Sequence, residues 1–295
     1  MANYVLSCCS TSDLSLKLYK ERNIKLLNFH FYLGEKEYLD DFGTSISYKD
    51  FYKRMLNGET TRTTQINSEQ FIEFFESFLK TGNDVLHICF SSGLSGTYQS
   101  AVIAKELLKE KYPDRKLFVI DSLCGSSGYG LLVNKIASLK DKGYSIEQAY
   151  DWAIAHRLNV HHWFFSTDLT FFVRGGRLPK SAGLIGNILH LCPVMSVDSE
   201  GKIILRKRII GKKRAFDAVV EIMQENAING LDYNDECFIS HSECLEDANK
   251  LKNKIEETFK NLKGTVKIFN IGTTVGSHSG PGTTAIYFFG KKRSE

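Results

Sequence analysis

Proline is scarce, with four in 295 residues, and the chain holds neither a low-complexity tract nor an internal repeat. Hydrophobic residues make up 42% of it, enough to bury a large core that a chain of this length ordinarily divides over two domains. No run approaches the roughly 20 consecutive apolar residues of a membrane-spanning helix. The opening Met1-Ala2-Asn3-Tyr4-Val5-Leu6 lacks the charged segment, long apolar stretch and cleavage site of a secretory leader. A soluble, cytoplasmic protein is therefore expected. The seven cysteines, adjacent at Cys8-Cys9 and scattered at Cys89, Cys124, Cys192, Cys237 and Cys244, are odd in number and have no scaffold rhythm, so they read as reduced thiols. A formal charge of +4 is too modest to call for a nucleic-acid or acidic-lipid partner. There is no Gly-x-x-x-x-Gly-Lys-Ser/Thr phosphate loop, and Gly125-Ser126-Ser127-Gly128-Tyr129-Gly130 has the wrong spacing for a dinucleotide fingerprint, so autonomous kinase chemistry is not expected. Cys237, His241 and Cys244 match no zinc spacing, and no metal is expected either.

What is present is an alternation of short apolar stretches with amphipathic ones. Residues 3–6 and 24–31 read as strands around a short helix at 13–20, a βαβ opening. Helices are expected over 68–80, 98–111, 126–140 and 145–156, with strands at 85–90 and 117–121. That order predicts a parallel sheet covered by helices on both faces. The pattern changes near Val160. A strand at 163–166 and a short helix at 169–172 precede an apolar helical stretch at 186–192, and a hairpin pairs 194–197 with 202–207 around Asp198-Ser199-Glu200-Gly201. Helices at 212–229 and 245–259 then interleave with strands at 237–240, 266–270 and 285–289. The expected fold class is α/β, with an N-terminal parallel-sheet domain over residues 1–159 and a C-terminal mixed-sheet domain over 160–295.

Between the strand at 85–90 and the helix that follows lies Ser91-Ser92-Gly93-Leu94-Ser95-Gly96-Thr97-Tyr98, almost wholly hydroxyls and glycines. Helix-opening N–H groups lack intrahelical acceptors and carry the positive end of the macrodipole, so such a loop is suited to hold a small anion. The same composition also serves an ordinary strand-to-helix turn with a capped helix. Three further motifs accompany it: Thr63-Thr64-Gln65 ahead of a helix, Arg174-Gly175-Gly176-Arg177 with two guanidinium groups suited to carboxylate or phosphate, and Ser277-His278-Ser279-Gly280-Pro281-Gly282, read as a histidine in a tight glycine-proline turn.

Taken in order, these motifs resemble the DegV family of bacterial fatty-acid-binding proteins, from Tyr4 to Phe289. The matches that carry the resemblance are Ser92-Gly93-Leu94-Ser95-Gly96-Thr97-Tyr98, Gly175-Gly176-Arg177 and His278-x-Gly280-Pro281-Gly282, with support from Thr63-x-Gln65, Asp121-Ser122, Gly183-x-x-Gly186 and Cys192-Pro193. The resemblance implies a two-domain carrier that encloses one long-chain fatty acid in a tunnel at and beyond the domain junction. It implies no other cofactor, and an ATP-dependent fatty acid kinase as the partner that phosphorylates the presented carboxylate to an acyl phosphate for phospholipid synthesis. The implied carboxylate ligands are Thr63, Ser95 and His278, with Ser92 and Gly96 in support, while Arg174, Arg177 and Arg208 are the implied partner-docking residues. Phe164, Phe165, Phe171 and Phe172 are candidates to line the tunnel. The chain departs from the family pattern at Cys8-Cys9-Ser10, where Thr-Asp-Ser is usual, at Cys192 in place of a lysine, and at Ile210, where an arginine is expected.

A competing reading is a serine esterase or acyl hydrolase with Ser95, His278 and an acid such as Asp121. Gly93-Leu94-Ser95-Gly96-Thr97 places its second glycine one position too early for a nucleophile elbow. The basic cluster of Arg206, Lys207, Arg208, Lys212, Lys213 and Arg214 comes without a nucleic-acid-binding motif and reads as a docking surface for a protein partner.

Overall fold

The computed structural model describes residues 4–183 and 190–294. The chain opens with β1 (Tyr4–Cys9), α1 (Leu16–Glu21), β2 (Lys25–Leu27), β3 (His30–Leu33), β4 (Lys36–Leu39), α2 (Tyr48–Leu56) and β5 (Thr61–Thr64). It continues through α3 (Ser68–Leu79), β6 (Asp84–Cys89), α4 (Thr97–Lys111), β7 (Leu117–Asp121), α5 (Ser126–Asp141) and α6 (Ile146–His156). The remainder is β8 (Val160–Phe165), α7 (Thr170–Arg174), α8 (Lys180–Gly183), β9 (Leu191–Val197), β10 (Ile203–Ile210), α9 (Lys212–Asn226), β11 (Cys237–His241), α10 (Leu245–Thr258), β12 (Lys267–Asn270), α11 (Thr273–Ser279) and β13 (Thr284–Phe289).

Three sheets organise these elements. A parallel sheet runs β2-β1-β6-β7 and a mixed sheet β10-β9-β8-β13-β11-β12, in which only β11 and β12 pair in parallel. β1 and β6 are buried along nearly their whole length, as strands covered by helices on both faces must be. The hairpin expected around residues 198–201 is present, with β9 antiparallel to β10. Helix starts follow their capping residues: Asn67 with Gln70 and Ser145 with Gln148 form reciprocal boxes that satisfy two orphan N–H groups each.

The third sheet, β4-β3-β5, was not legible in the periodicity. The single strand expected at 24–31 is in fact two, β2 in the parallel sheet and β3 in this antiparallel one. Buried Phe29 marks the switch, because its N–H donates to Ser10 Oγ at 3.1 Å and its carbonyl accepts from the Asp40 N–H at 2.9 Å. The helix expected from Asp13 begins only at Leu16, behind the cap of Ser15, with Asp13 in the left-handed region at φ 48°. Of the helical stretch expected at 186–192, residues 191–192 belong to β9, His190 lies in a turn at φ 60°, and 186–189 lie outside the described residues. Gly186, one of the family-like glycines, lies there too.

His278 is the main local correction. It sits in the last turn of α11 rather than in a glycine-proline turn, and Gly280 at φ 71° ends the helix by returning its N–H to the Gly276 carbonyl at 2.8 Å. Thr273-Thr274-Val275-Gly276-Ser277-His278-Ser279 is a poor helix former. It is held instead by tertiary bonds: Tyr52 Oη donates to the Ile271 carbonyl at 2.9 Å, Thr61 Oγ1 to the Ser277 carbonyl at 3.2 Å, and Thr273 Oγ1 to buried Asp40 at 2.8 Å.

Candidate functional site

The carboxyl ends of β1 and β6 open onto a crevice, the usual ligand position in a parallel α/β sheet. Residues after both strands line a cavity of about 300 Å³ there, including Thr11, Phe90, Leu94, Ser95 and Gly96. The small sheet adds Thr63, Thr64 and Gln65, and α11 adds Thr274, Val275, His278 and Ser279. A second cavity of about 70 Å³ shares Phe90, Leu94, Phe172, Ile203, Val275 and Ser279 with the first and is walled mostly by apolar side chains, among them Phe164, Val197 and Ala285. Phe164 lines the second cavity and Phe172 lines both. Phe165 faces the other side of β8 against Phe216, and Phe171 packs against Gly280.

Thr63 pairs with Phe31 in register on the small sheet. The two-residue period of β5 therefore turns Thr61 and Thr63 to one face and Arg62 to the other. On that face Thr63 Oγ1 meets His278 Nε2 at 2.8 Å. The other ring nitrogen, Nδ1, is buried without a hydrogen-bond partner, and a Cβ on Gly175 would lie 2.2 Å from it. Gly175 has an ordinary helical φ of −73°. The first glycine of the Gly175-Gly176 pair therefore makes room for the imidazole, whereas Gly176 at φ 71° serves the backbone. Burial, reinforced by the Arg177 charge, pushes His278 down to about 3. The ring is neutral at physiological pH.

The loop after β6 is shaped mainly by its own bonds. The Ser92 N–H donates to Asp121 Oδ1 at 3.1 Å, the Gly93 N–H to Ser91 Oγ at 3.1 Å, and the Leu94 and Ser95 N–H groups to the Ser91 carbonyl. The expected cradle of free amides is thus largely consumed. The Gly96 N–H finds no acceptor among the described residues, and Ser95 Oγ lies 2.9 Å from Thr97 Oγ1. Ser92 is exposed and does not line either cavity. The turn of the β9–β10 hairpin seats on this loop: Ser91 Oγ donates to the Gly201 carbonyl at 2.8 Å, and a Cβ on Gly93 would lie 2.6 Å from the Glu200 carbonyl oxygen.

Arg177 lines the cavity half-buried, its guanidinium donating to the Leu94 carbonyl at 3.1 and 3.0 Å and to the Gly175 carbonyl at 2.5 Å. It ties the loop to the glycine pair. Arg174 and Arg208 are exposed on α7 and on the sheet-edge strand β10. Sequence reasoning missed Thr11 and Ser279, whose buried hydroxyls line the cavity without protein partners. It also missed Asp40, which anchors α11. No regular pattern flags such isolated hydroxyls.

The hydrolase triad is not assembled. No hydrogen bond joins Ser95 to His278, and Asp121 spends Oδ1 on the Ser92 and Leu123 N–H groups. Among the described residues, no group of three or more His, Cys, Asp or Glu side chains is placed to hold a metal.

A family model described as "Uncharacterised protein, DegV family" matches residues 9–291. The chain belongs to the DegV family. A DegV domain-containing protein of Clostridium perfringens is 34% identical over 290 residues, 98% of either chain. Among solved structures, a DegV family protein from Thermus thermophilus, described by its fatty acid binding, superposes with a TM-score of 0.85 at 24% identity, covering 98% of this chain and 99% of that one. The Streptococcus pneumoniae Fatty Acid Kinase (Fak) B3 protein, loaded with linoleic acid, superposes at 0.81 with 20% identity over 98% of this chain and 99% of its own. These likenesses fix the DegV fold, with its parallel and mixed sheets.

For this DegV chain, Gly175→Ala is expected to displace His278 from Thr63, since the added methyl would lie 2.2 Å from His278 Nδ1 and 3.1 Å from the Phe171 carbonyl oxygen. A ¹³C- or ¹⁵N-edited spectrum of the His278 ring would show the change, and an unaltered ring environment would refute the seating role.

Proposed function

We propose that this protein binds one long-chain fatty acid, with its carboxylate at Thr63, Ser95 and His278 and its tail in the adjoining apolar cavity, and presents it to an ATP-dependent fatty acid kinase. The observation that carries the reading is the juxtaposition of hydroxyls, imidazole and a free Gly96 N–H in one cavity that shares walls with a second, mostly apolar one. A carboxylate leaving water costs several kcal/mol unless several hydrogen bonds replace its solvation. Each buried methylene of the tail contributes about 0.8 kcal/mol before ordering costs. Family membership and the ligands named for the Thermus thermophilus and Streptococcus pneumoniae proteins support the same class. On this reading the protein is a non-catalytic carrier, with residues 1–159 and 160–295 as its two domains and the ligand between them.

Native mass spectrometry of the purified chain, followed by extraction, tests the binding: about one fatty acid per chain is expected, reduced in Ser95→Ala and His278→Ala. A protein that stays empty and rejects added fatty acid would sink the proposal, and fluorophosphonate labelling of Ser95 would favour the hydrolase.

Because His278 is neutral above about pH 3, it anchors the carboxylate as a dipole rather than as a cation. Affinity for the ionised acid is therefore expected to stay flat from about pH 6 to 8. Loss of about tenfold per unit across that window would show instead that binding recruits a proton to the ring.

The exposed cations of β10 and the start of α9 are the proposed kinase-facing surface, with Arg174 beside the site. Lys207→Glu with Arg208→Glu is expected to leave lipid affinity unchanged and to slow kinase-dependent acyl phosphate formation. Loss of lipid binding in that variant would remove the docking assignment.

A further inference from the structure

Gln65 follows β5 at the exposed rim of the larger cavity, in line with Thr63 and Thr64. Its side-chain amide has no hydrogen-bond partner among the described residues. Across the rim lies Gly96, where an added Cβ would come 2.3 Å from Gln65 Oε1, 3.2 Å from Cδ and 3.4 Å from Nε2. Gly96 has φ −71° and ψ 0°, a conformation open to every residue. The backbone therefore does not require glycine here; an added methyl would instead push aside the end of the Gln65 side chain. The same position carries the loop N–H that is left without an acceptor.

We propose that Gln65 is a further carboxylate ligand: its amide nitrogen donates to the bound headgroup from the solvent side of the cavity mouth, and residue 96 is glycine to seat that amide beside its own free N–H. This rests on the fatty-acid reading above. Thr63, Ser95 and His278 approach the headgroup from within the cavity wall, and Gln65 and Gly96 close the side that water would otherwise occupy. An amide suits this position because it donates without adding a charge, so the mouth holds a carboxylate but does not lock it in as a buried ion pair would.

The test measures dissociation constants for oleic acid and oleyl alcohol in the full chain carrying Gln65→Ala, Gly96→Ala, both together, or Gln65→Glu. Loss of a hydrogen bond to a charged group corresponds to roughly tenfold in affinity, and that is the expected effect of Gln65→Ala on oleic acid. Gly96→Ala should reproduce it by expelling the amide, and the double variant should be no worse than either single one. Gln65→Glu should weaken oleic acid further and leave the alcohol unchanged, a discrimination that general damage to the rim cannot produce. Equal effects on acid and alcohol, or fully additive losses in the double variant, would overturn the role of Gln65 alone. A wild-type chain that binds neither ligand would overturn the fatty-acid reading, and the role of Gln65 with it.

Discussion

The 2.8 Å contact between Thr63 Oγ1 and His278 Nε2 joins residues 215 positions apart, and the rest of the site is arranged so that it can form. Thr63 needs a strand to aim it, which the small antiparallel sheet supplies. His278 needs a helical turn that its own sequence scarcely favours, so α11 is moored at both ends. Asp40 holds its first residue through Thr273, and Ser242 Oγ donates to the Gly280 carbonyl just beyond its last at 2.6 Å. Burial raises the Asp40 carboxyl above its ordinary range, against which its hydroxyl donors Thr273 and Ser10 act. Asp13, buried beside Gly272 and raised by burial and by the charge of Asp40, accepts from Ser126 Oγ at 2.5 Å. Two acids in one dry region with only hydroxyl and amide donors around them hold the start of α11 by direction rather than by net charge.

Glycine at this site mostly answers to neighbours rather than to backbone conformation. Gly93, Gly96 and Gly175 all lie outside the positive-φ region, yet each faces an atom that a methyl group would strike: the hairpin carbonyls, the Gln65 amide and the His278 imidazole. The three contacts bring the hairpin turn, the small sheet and α11 toward the loop after β6 and the turn after α7. Arg177 spans the same two segments with its guanidinium. The cavity wall is therefore an assembly of close approaches, and small residues are what permit them.

Much of the frame was legible because it repeats. The strands and helices from Ser68 to His156, and from β9 to β13 with α11 excepted, follow from period and capping, and the parallel sheet follows from the alternation of the first group. The small sheet was not legible. Its strands are four residues long, carry little apolar periodicity, and form against each other, α2 and α11. The candidate site residues were legible as motif members, but their geometry was not. His278 looked like a loop residue because α11 is helical only through long-range bonds, and the anion loop looked open because nothing local says that Ser91 and Asp121 take its amides. Thr11 and Asp40 carried no signal, and Ser279 none beyond its place in the His278 motif, since a lone hydroxyl or acid acquires a role only from what the fold brings next to it.

A carrier that must surrender its cargo has reason to bind a carboxylate with neutral groups. In a dry pocket a direct ion pair is hard to break, because separating the partners strands a buried charge at a cost of several kcal/mol. On the proposed function, this site avoids that trap. Its histidine is held neutral, its other proposed donors are hydroxyls and amides, and its one lining guanidinium, Arg177, is turned to the carbonyls of Leu94 and Gly175. The positive field of Arg177 still reaches the cavity and favours an anion there, but its hydrogen bonds are spent on the protein. On that function, affinity comes mainly from the buried tail and orientation from a headgroup held by neutral donors.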